Sequence, residues 1–263
     1  MYKSFLILTS AALLLSCNGP EKEPDGPKPL APNAMTYSIV ASFPHDTSSY
    51  TQGLTFYKDE MYEGTGNWGE SKLKKVDLIT GKPLKQIALD KTYFGEGVTI
   101  LNDTIYQLTY KEKKVFVYTL KDFRKVKEYD ADYAEGWGLT TDGKNLIIST
   151  GSSDLLYYEP STFKLLKTQT VTEAGSASFN INELEFINGF IYANQYQYPY
   201  ILKIDPATGA VVAKADVTQL WERAKSIDPN VDVPNGIAYN DITKKIYITG
   251  KYWPELYEVQ FSQ

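Results

Sequence analysis

A repeat of about 40–45 residues constrains the fold of this chain more than any other feature. Five short segments share one pattern, in which a polar or aromatic residue leads into an apolar run: QGLTF (52–56), EGVTI (96–100), WGLTT (137–141), NELEF (182–186) and NGIAY (235–239). Their first residues, which we call the lead residues, are 44, 41, 45 and 53 positions apart. Such internal similarity predicts an architecture in which each repeat is one small structural unit.

Each segment is followed by further strand-like runs, so that four of the five repeats contain four runs. The last repeat ends at Gln263 after three, while residues 36–43 (TYSIVASF) form a spare strand near the start of the chain. Four-stranded repeats of this length are typical of propeller blades. We therefore predict an all-β, five-bladed β-propeller whose N-terminal strand closes the last blade and leaves no free edge there. The longest interval contains TQLWERAK (218–225), the one convincing helical stretch.

The N-terminus has the layout of an export signal. MYKSFLILTSAALLLSC combines a basic start, an apolar run and small residues before Cys17, as secretory signals do, and the run is too short for a comfortable membrane span. LLSC resembles a bacterial lipobox. We expect a lipoprotein signal peptide at 1–16, a lipidated Cys17 with a flexible linker to residue 35, and the propeller domain at 36–263. The protein would then be an exported lipoprotein of the bacterial cell envelope, periplasmic or anchored to the outer membrane through the Cys17 lipid.

Composition excludes several kinds of chemistry and one kind of partner. His45 is the single histidine and Cys17 the single cysteine, so a multi-histidine zinc site and a cysteine nucleophile are excluded, and any catalytic triad would have to use His45. The net charge of -5 over 263 residues lacks the basic character of nucleic-acid-binding proteins. We expect a monomer with no nucleic-acid partner, whose chemistry comes from carboxylates, amides, lysine or backbone groups.

The repeat also predicts which side chains meet. The first strand of every propeller blade lines the central channel, so the lead residues should form a ring there: Gln52, Glu96, Trp137, Asn182 and Asn235. The ends of the second strands align a second ring: Gly66, Tyr110, Gly151, Tyr196 and Lys251. A few polar groups among aromatic side chains are typical of a site for a small molecule or a peptide end. A carboxylate buried there should have a raised pKa and exchange protons near neutral pH. The alternative is that these residues only fill the channel.

Several motifs give the chain a family resemblance from Phe43 to Phe261. They are FPHD (43–46), YTQGL (50–54), YFGEG (93–97), GWGLTTDG (136–143), NELEFING (182–189), VPNGIAY (233–239) and TGKYWPELYEV (249–259). With them the chain resembles the plant and bacterial glutaminyl cyclases, five-bladed propellers that convert N-terminal Gln to pyroglutamate and release ammonia. The resemblance implies a glutaminyl-peptide cyclotransferase, whose partners are peptides or proteins with an N-terminal Gln.

The resemblance also implies roles for individual residues. Glu96 would be the general acid/base, and Gln52, Asn182 and Lys251 the other catalytic residues. The substrate-binding residues would be Tyr50, Phe94, Tyr110, Trp137 and Tyr196, with Glu183 as a reserve acid beside Asn182. Plant-type members carry Trp at the positions of Tyr110 and Tyr196, and Phe at that of Tyr50. The aromatic wall is therefore smaller and more polar here.

Other acidic and basic residues near the blade ends have structural interpretations. Glu63, Glu135, Glu183 and Glu185 are expected to pair with backbone amides or lysines. His45 and Asp46 are expected to cap a turn, and KEKK (111–114) to form a solvated hairpin turn.

The implied reaction requires no cofactor, and the sequence contains no cluster of metal ligands. A structural channel cation such as Ca²⁺, held by backbone carbonyls, would leave no side-chain pattern, so that question stays open. The main alternative function is a non-catalytic propeller lipoprotein that binds a peptide or glycan at the channel mouth. A second is a calcium-dependent lactonase, which five blades and a lead ring with a single carboxylate disfavour.

Overall fold

The structure, a computed structural model, describes residues 30–262, which form 23 strands and one helix. The strands are β1 (Asn33–Ala34), β2 (Tyr37–Pro44), β3 (Thr51–Tyr57), β4 (Glu60–Thr65), β5 (Lys72–Val76), β6 (Pro83–Ala88), β7 (Gly95–Leu101), β8 (Thr104–Thr109), β9 (Lys114–Thr119), β10 (Lys125–Asp130), β11 (Leu139–Thr141), β12 (Leu146–Ser149), β13 (Asp154–Glu159), β14 (Lys164–Thr170), β15 (Thr172–Glu173), β16 (Ser176–Ala177), β17 (Ile181–Ile187), β18 (Phe190–Gln195), β19 (Tyr200–Ile204), β20 (Val211–Asp216), β21 (Pro234–Asn240), β22 (Lys245–Gly250) and β23 (Glu255–Phe261). The helix, α1, spans Thr218–Ile227. The predicted signal peptide and the predicted lipidation site, Cys17, lie outside the described residues.

The described strands form six sheets, of which five are the blades of a propeller and one is the separate two-stranded pair β15–β16. Blades 1 to 4 are β3–β6, β7–β10, β11–β14 and β17–β20, and blade 5 contains β21–β23. In each blade the strand that carries or directly follows the lead residue lies at one edge of the sheet, and these strands contact one another around the axis. The predicted five-bladed propeller is confirmed.

The N-terminal strand closes the ring as predicted. β2 is the outermost strand of blade 5 and pairs antiparallel with β23, with Tyr37 opposite Phe261 and Pro44 opposite Glu255. The beginning and the end of the propeller are therefore joined in one sheet, and β23 has no free edge.

The predicted linker is wrong at its last residues, because they are part of the fold. Asn33 and Ala34 pair in parallel with β20, opposite Ala213 and Lys214. The Met35 N–H donates to the Lys214 carbonyl at 2.9 Å, and the Met35 side chain is buried. The outer edge of β20 offers open hydrogen-bonding groups, and these residues cover them.

Apolar clusters fill the seams between neighbouring blades. The seam of blades 1 and 2 contains Val98 and Ile105, and the other seams are built in the same way. The predicted helix is confirmed, and it buries Leu220 and Ala224 in the seam of blades 4 and 5, in the cluster that contains Trp253. Within residues 30–262, no helix is long and apolar enough to cross a membrane.

The innermost strands are irregular where they carry lead residues. Register shifts occur at Thr51/Gly53, Gly95/Val98, Ile181/Leu184 and Pro234/Ile237. Such bulges change the direction in which a side chain points and are frequent beside functional sites. A Cβ at Gly97 would lie 2.5 Å from the Leu139 backbone nitrogen of the next blade. Gly97 therefore permits a close approach between blades, directly after Glu96.

Candidate active site

A cavity of about 200 Å³, which we call the mouth cavity, lies where the five innermost strands begin. Its lining residues come from all five blades: Tyr50, Gln52, Trp68, Phe94, Glu96, Tyr110, Trp137, Asn182, Tyr196 and Lys251. Larger clefts exist elsewhere on the molecule. The mouth cavity is the candidate site because two of its lining residues, Glu96 and Asn182, have buried oxygens without hydrogen-bond partners among the described residues. Such oxygens can bind a polar ligand. The structure thus brings together nine of the ten residues predicted to be catalytic or substrate-binding, all except Glu183.

Glu96 is a buried acid with a free oxygen. The residue is 3% exposed, and among the described residues its Oε2 has no hydrogen-bond partner. Burial raises the pKa of Glu96 well above its ordinary value, Lys251 opposes this, and the charges of Glu112 and Glu135 add to it. A carboxyl group of this kind can both accept and donate a proton near neutral pH.

Lys251 is a buried cation held by aromatic faces. Its Nζ lies 4.1 Å from the ring centroid of Tyr50 and 5.1 Å from that of Tyr196, which is cation–π geometry. Burial lowers the pKa of Lys251 to about 8, while the charges of Glu96 and Asp232 act in the opposite direction. Lys251 can therefore supply positive charge to a ligand at neutral pH.

Two amide side chains complete the polar part of the cavity. The Oε1 of Gln52 accepts a hydrogen bond from Asn235 Nδ2 at 3.1 Å, which leaves the Gln52 NH₂ group as the donor for a ligand. Asn235, a member of the predicted lead ring, lies outside the cavity lining, and its Nδ2 also donates to the Thr51 carbonyl at 2.9 Å. Asn182 is buried, and its Oδ1 has no partner within residues 30–262.

The aromatic wall is built from rings packed edge to face. Trp137 meets Tyr196 at 5.3 Å between centroids and 80° between planes, and Phe94 meets Tyr50 at 5.9 Å and 89°. A Cβ at Gly151 would lie 2.5 Å from Cζ2 of Trp137. The small residue of the predicted second ring therefore makes room for the indole.

Trp68 is the lining residue that the sequence reasoning missed. It lies in the loop between β4 and β5, and its ring centroid is 4.8 Å from that of Phe94. Its Nε1 donates to Glu112 Oε1 at 3.1 Å, so the predicted solvated turn at 111–114 contributes to the rim of the cavity. The sequence did contain one signal: a tryptophan directly after Gly66 and Asn67, at the same end of blade 1 as Gln52.

Glu183, the reserve candidate for the site, lies outside the lining of the mouth cavity and has the backbone contacts of its structural interpretation. Glu183 is fully buried, and its carboxylate accepts the Leu54 N–H at 3.1 Å and the Ile237 N–H at 2.8 Å. Burial raises the pKa of Glu183 well above its ordinary value. The side chain satisfies backbone donors of blades 1 and 5 inside the channel, where buried N–H groups need partners, and so it lies away from the mouth cavity.

Two other acids have the structural contacts that were expected. Glu135 Oε1 lies 3.3 Å from Lys111 Nζ, and Glu185 Oε1 accepts the Tyr239 N–H at 2.9 Å. Glu135 Oε2 also accepts the Trp137 Nε1–H at 3.1 Å.

His45 is not a turn cap, whereas Asp46 is, since it accepts the Ser48 N–H at 2.9 Å. The His45 Nδ1 donates to the Trp253 carbonyl at 2.7 Å, and its Nε2 lies 3.1 Å from Glu63 Oε1. Both ring nitrogens therefore face acceptors, which requires the doubly protonated imidazolium.

Among residues 30–262 there is no group of three or more His, Cys, Asp or Glu side chains that could hold a metal ion.

Fold and cavity together define a five-bladed propeller with a buried acid in an aromatic pocket at the channel mouth. The sequence model of a family described as glutamine cyclotransferase matches residues 8–261, and the chain belongs to that family. It is 38% identical over 227 residues to the glutaminyl-peptide cyclotransferase of Arabidopsis thaliana, covering 86% of this chain and 71% of that protein. The crystal structure of Myxococcus xanthus glutaminyl cyclase superposes with a TM-score of 0.82 at 33% identity, over 88% of this chain and 98% of the other. The resemblance drawn from the motifs is confirmed.

Proposed function

We propose that the protein is a glutaminyl-peptide cyclotransferase that converts the N-terminal Gln of peptides and proteins to pyroglutamate and releases ammonia. The observation that carries the proposal is the Oε2 of Glu96, which has no hydrogen-bond partner among residues 30–262 and lies in an aromatic cavity of about 200 Å³. That volume is small beside the roughly 300–1,000 Å³ of pockets for drug-sized ligands, and it suits a single Gln side chain. Family membership and the 38% identical plant relative support the same activity.

The cavity favours a folded substrate. The reaction needs the α-amine of Gln to reach its own γ-carboxamide carbon, and an enclosing wall of Phe94, Trp137 and Tyr196 would hold the methylene groups in that bent form. Such positioning converts an improbable encounter into a near-attack geometry.

Glu96 is proposed to carry the proton through the reaction. A bond forms between the amine nitrogen and the carboxamide carbon, and the carboxylate of Glu96 takes a proton from that nitrogen. Glu96 then donates the proton to the departing amide nitrogen as the old carbon–nitrogen bond breaks, so that ammonia leaves and the carboxylate is regenerated. The raised pKa of Glu96 suits both half-steps.

The remaining polar groups are proposed to stabilise the charge that develops. The Gln52 NH₂ group and the Lys251 ammonium are donors aimed into the cavity, suited to the oxygen of the tetrahedral intermediate. Asn182 presents an unpartnered amide oxygen, which can accept from the substrate amine. The reaction as proposed needs no cofactor and one copy of the chain.

Ammonia release from a Gln-initiated dipeptide, measured with and without chelator, tests the activity. We expect turnover that a chelator leaves unchanged. No turnover would favour a peptide- or glycan-binding propeller, and turnover lost with chelator would point to a metal-dependent enzyme.

The role of Glu96 is tested by Glu96→Gln. We expect turnover to fall by about 10²–10⁴-fold, the usual contribution of a positioned acid/base, because the amide cannot take the amine proton. Glu70→Gln, an exposed acid in the loop that carries Trp68, is the matched control and should keep its activity. Full activity of a folded Glu96→Gln protein would refute this role.

We also propose that the protein is an exported lipoprotein of the bacterial cell envelope, anchored through Cys17. The support is the apolar run that ends in LLSC and the Pro- and charge-rich stretch after it.

A further inference from the structure

Trp68 occupies a position at the cavity rim that the proposed reaction does not use. Of the described residues that line the mouth cavity, only Trp68 is exposed, at 57% of its surface. Because the cavity holds a single side chain, the second residue of a bound peptide must leave through the opening. At the opening, this second residue would contact Trp68, the exposed member of the lining.

Hydrogen bonds hold the loop that carries this indole in place. Asn67 has a positive φ of 82°, and its Nδ2 donates to the Tyr252 hydroxyl of blade 5 at 2.7 Å. The Ser71 Oγ donates to the Asn67 carbonyl at 2.7 Å and accepts the Gly95 N–H of blade 2 at 2.9 Å. Contacts to two neighbouring blades therefore fix the loop on both sides of Trp68, and the indole itself is positioned by Phe94 and by its hydrogen bond to Glu112.

Glu112 gives the rim a negative charge beside the indole. Its carboxylate accepts the Trp68 Nε1–H at 3.1 Å and lies 3.4 Å from the Phe94 nitrogen. The adjacent Lys111 pairs with Glu135 instead, at 3.3 Å. A carboxylate has about four acceptor positions on its two oxygens, so Glu112 keeps capacity for another donor.

We infer that Trp68 and Glu112 form a subsite for the residue that follows the N-terminal Gln, and that this subsite favours Arg or Lys and disfavours Asp or Glu. The inference rests on the proposed cyclotransferase activity. An indole face attracts a guanidinium or ammonium group, and the neighbouring carboxylate can accept its N–H groups. An acidic side chain would meet like charge at the same place.

The test compares kcat/KM for a set of dipeptide amides, Gln-Arg, Gln-Lys, Gln-Gly and Gln-Glu. The readout is the ratio of each value to that for Gln-Gly, which cancels any general change in catalysis. In wild type we expect the ratio to be above one for Arg and Lys and below one for Glu. Trp68→Ala should lower the Gln-Arg ratio by about two- to fivefold, the range for one cation–π contact at an exposed site. Glu112→Gln should lower the Arg and Lys ratios and raise the Glu ratio.

Two further variants separate a local subsite from other effects. Glu70→Gln removes a charge from the same loop, and we expect it to leave all ratios unchanged, because a subsite acts through contact. Trp68→Phe keeps an aromatic face and should retain more of the Arg preference than Trp68→Ala does. Equal ratios in wild type, or equal loss on all substrates in Trp68→Ala, would overturn the subsite and leave the cyclotransferase standing. No turnover of any Gln peptide would overturn the activity itself.

Discussion

Burial acts in opposite directions on the pKa values of the acid and the lysine that line the mouth cavity. It raises the pKa of Glu96 and lowers that of Lys251 to about 8, because a low dielectric disfavours the charged form of each. The two pKa values therefore approach each other. Proton transfers in the cavity then have small free-energy differences, as general acid–base catalysis needs.

The lysine can be tested through the pH dependence of kcat/KM, which reports the ionisable groups of the free enzyme. If its positive charge stabilises the intermediate, activity should fall as the pH rises through about 8, where Lys251 loses its proton. Lys251→Arg keeps a charge at all accessible pH values, so its alkaline limb should move upward. The substrate amine titrates identically with both proteins, which makes wild type the control. An unmoved alkaline limb would show that another group controls it.

Some site residues could be placed from the sequence and others could not. Equivalent positions of five repeats were enough to bring Glu96 and Lys251 together, because in the blades the start of the first strand lies beside the end of the second. The position of Glu183 did not follow from its adjacency to Asn182. The register shift between Ile181 and Leu184 changes the directions in which the side chains there point. Trp68 lies in a loop, and a contact between Asn67 and a residue 185 positions away sets its place. No periodic pattern encodes such a contact.

At the scale of elements, a buried charge network connects the turn after β2 to blade 1. Lys74 and Glu63 lie on β5 and β4, with their side chains 2% exposed and Nζ 3.4 Å from Oε2. Burial alone would raise the pKa of Glu63, but the charges of His45 and Lys74 lower it to about 2. Burial alone would lower the pKa of His45, but Glu63 raises it. The network therefore holds the ring closed through paired charges as well as through strand pairing.

Glu63→Gln should lower the free energy of unfolding by about 3–5 kcal/mol, because it leaves buried positive charge without its partner. The exposed Glu60, paired with Lys75 on the same two strands, gives the control. Glu60→Gln should cost about 0–1 kcal/mol. Denaturant unfolding of the three proteins makes the measurement, and equal losses would contradict a special role for the network.

The pH dependence of stability gives an independent check on the same network. The folded pKa of His45 lies above the reference value of 6.5, so its contribution is complete below that pH and is lost as the pH rises through the folded value. The folded pKa of Glu63 is lowered to about 2, so its contribution is lost in acid. Glu63→Gln should flatten both changes.

At the scale of the whole molecule, five apolar seams and one closing strand make a rigid ring. The spacing of the repeats predicted this ring, since each blade needs its neighbours to bury its faces. The strand pairing of Asn33 and Ala34 was missed because a Pro- and charge-rich stretch precedes them and conceals a pairing of only two residues.

The proposed anchor determines where the whole protein works. Cys17→Ser should move the protein from the membrane fraction to the soluble fraction of the cell envelope, because a lipid chain can no longer be attached. Immunoblots of separated fractions measure this, and the conservative Ser16→Ala variant is the control for general effects on export. A Cys17→Ser protein that stays with the membrane would contradict lipidation at this residue.

Glu183 has a consequence for what the protein can accept. The mouth cavity lies at the level of the lead residues, while a separate cavity at the other end reaches Thr55, Thr99 and Glu185, three positions further along those strands. Buried Glu183 and the N–H groups that it binds fill the interval. The pocket is therefore a dead end, into which a chain can be inserted only by its terminus. Because nothing can pass through the pocket, a short peptide and a folded protein with a free first residue present the same group to it, and the length of the chain behind that residue stays outside.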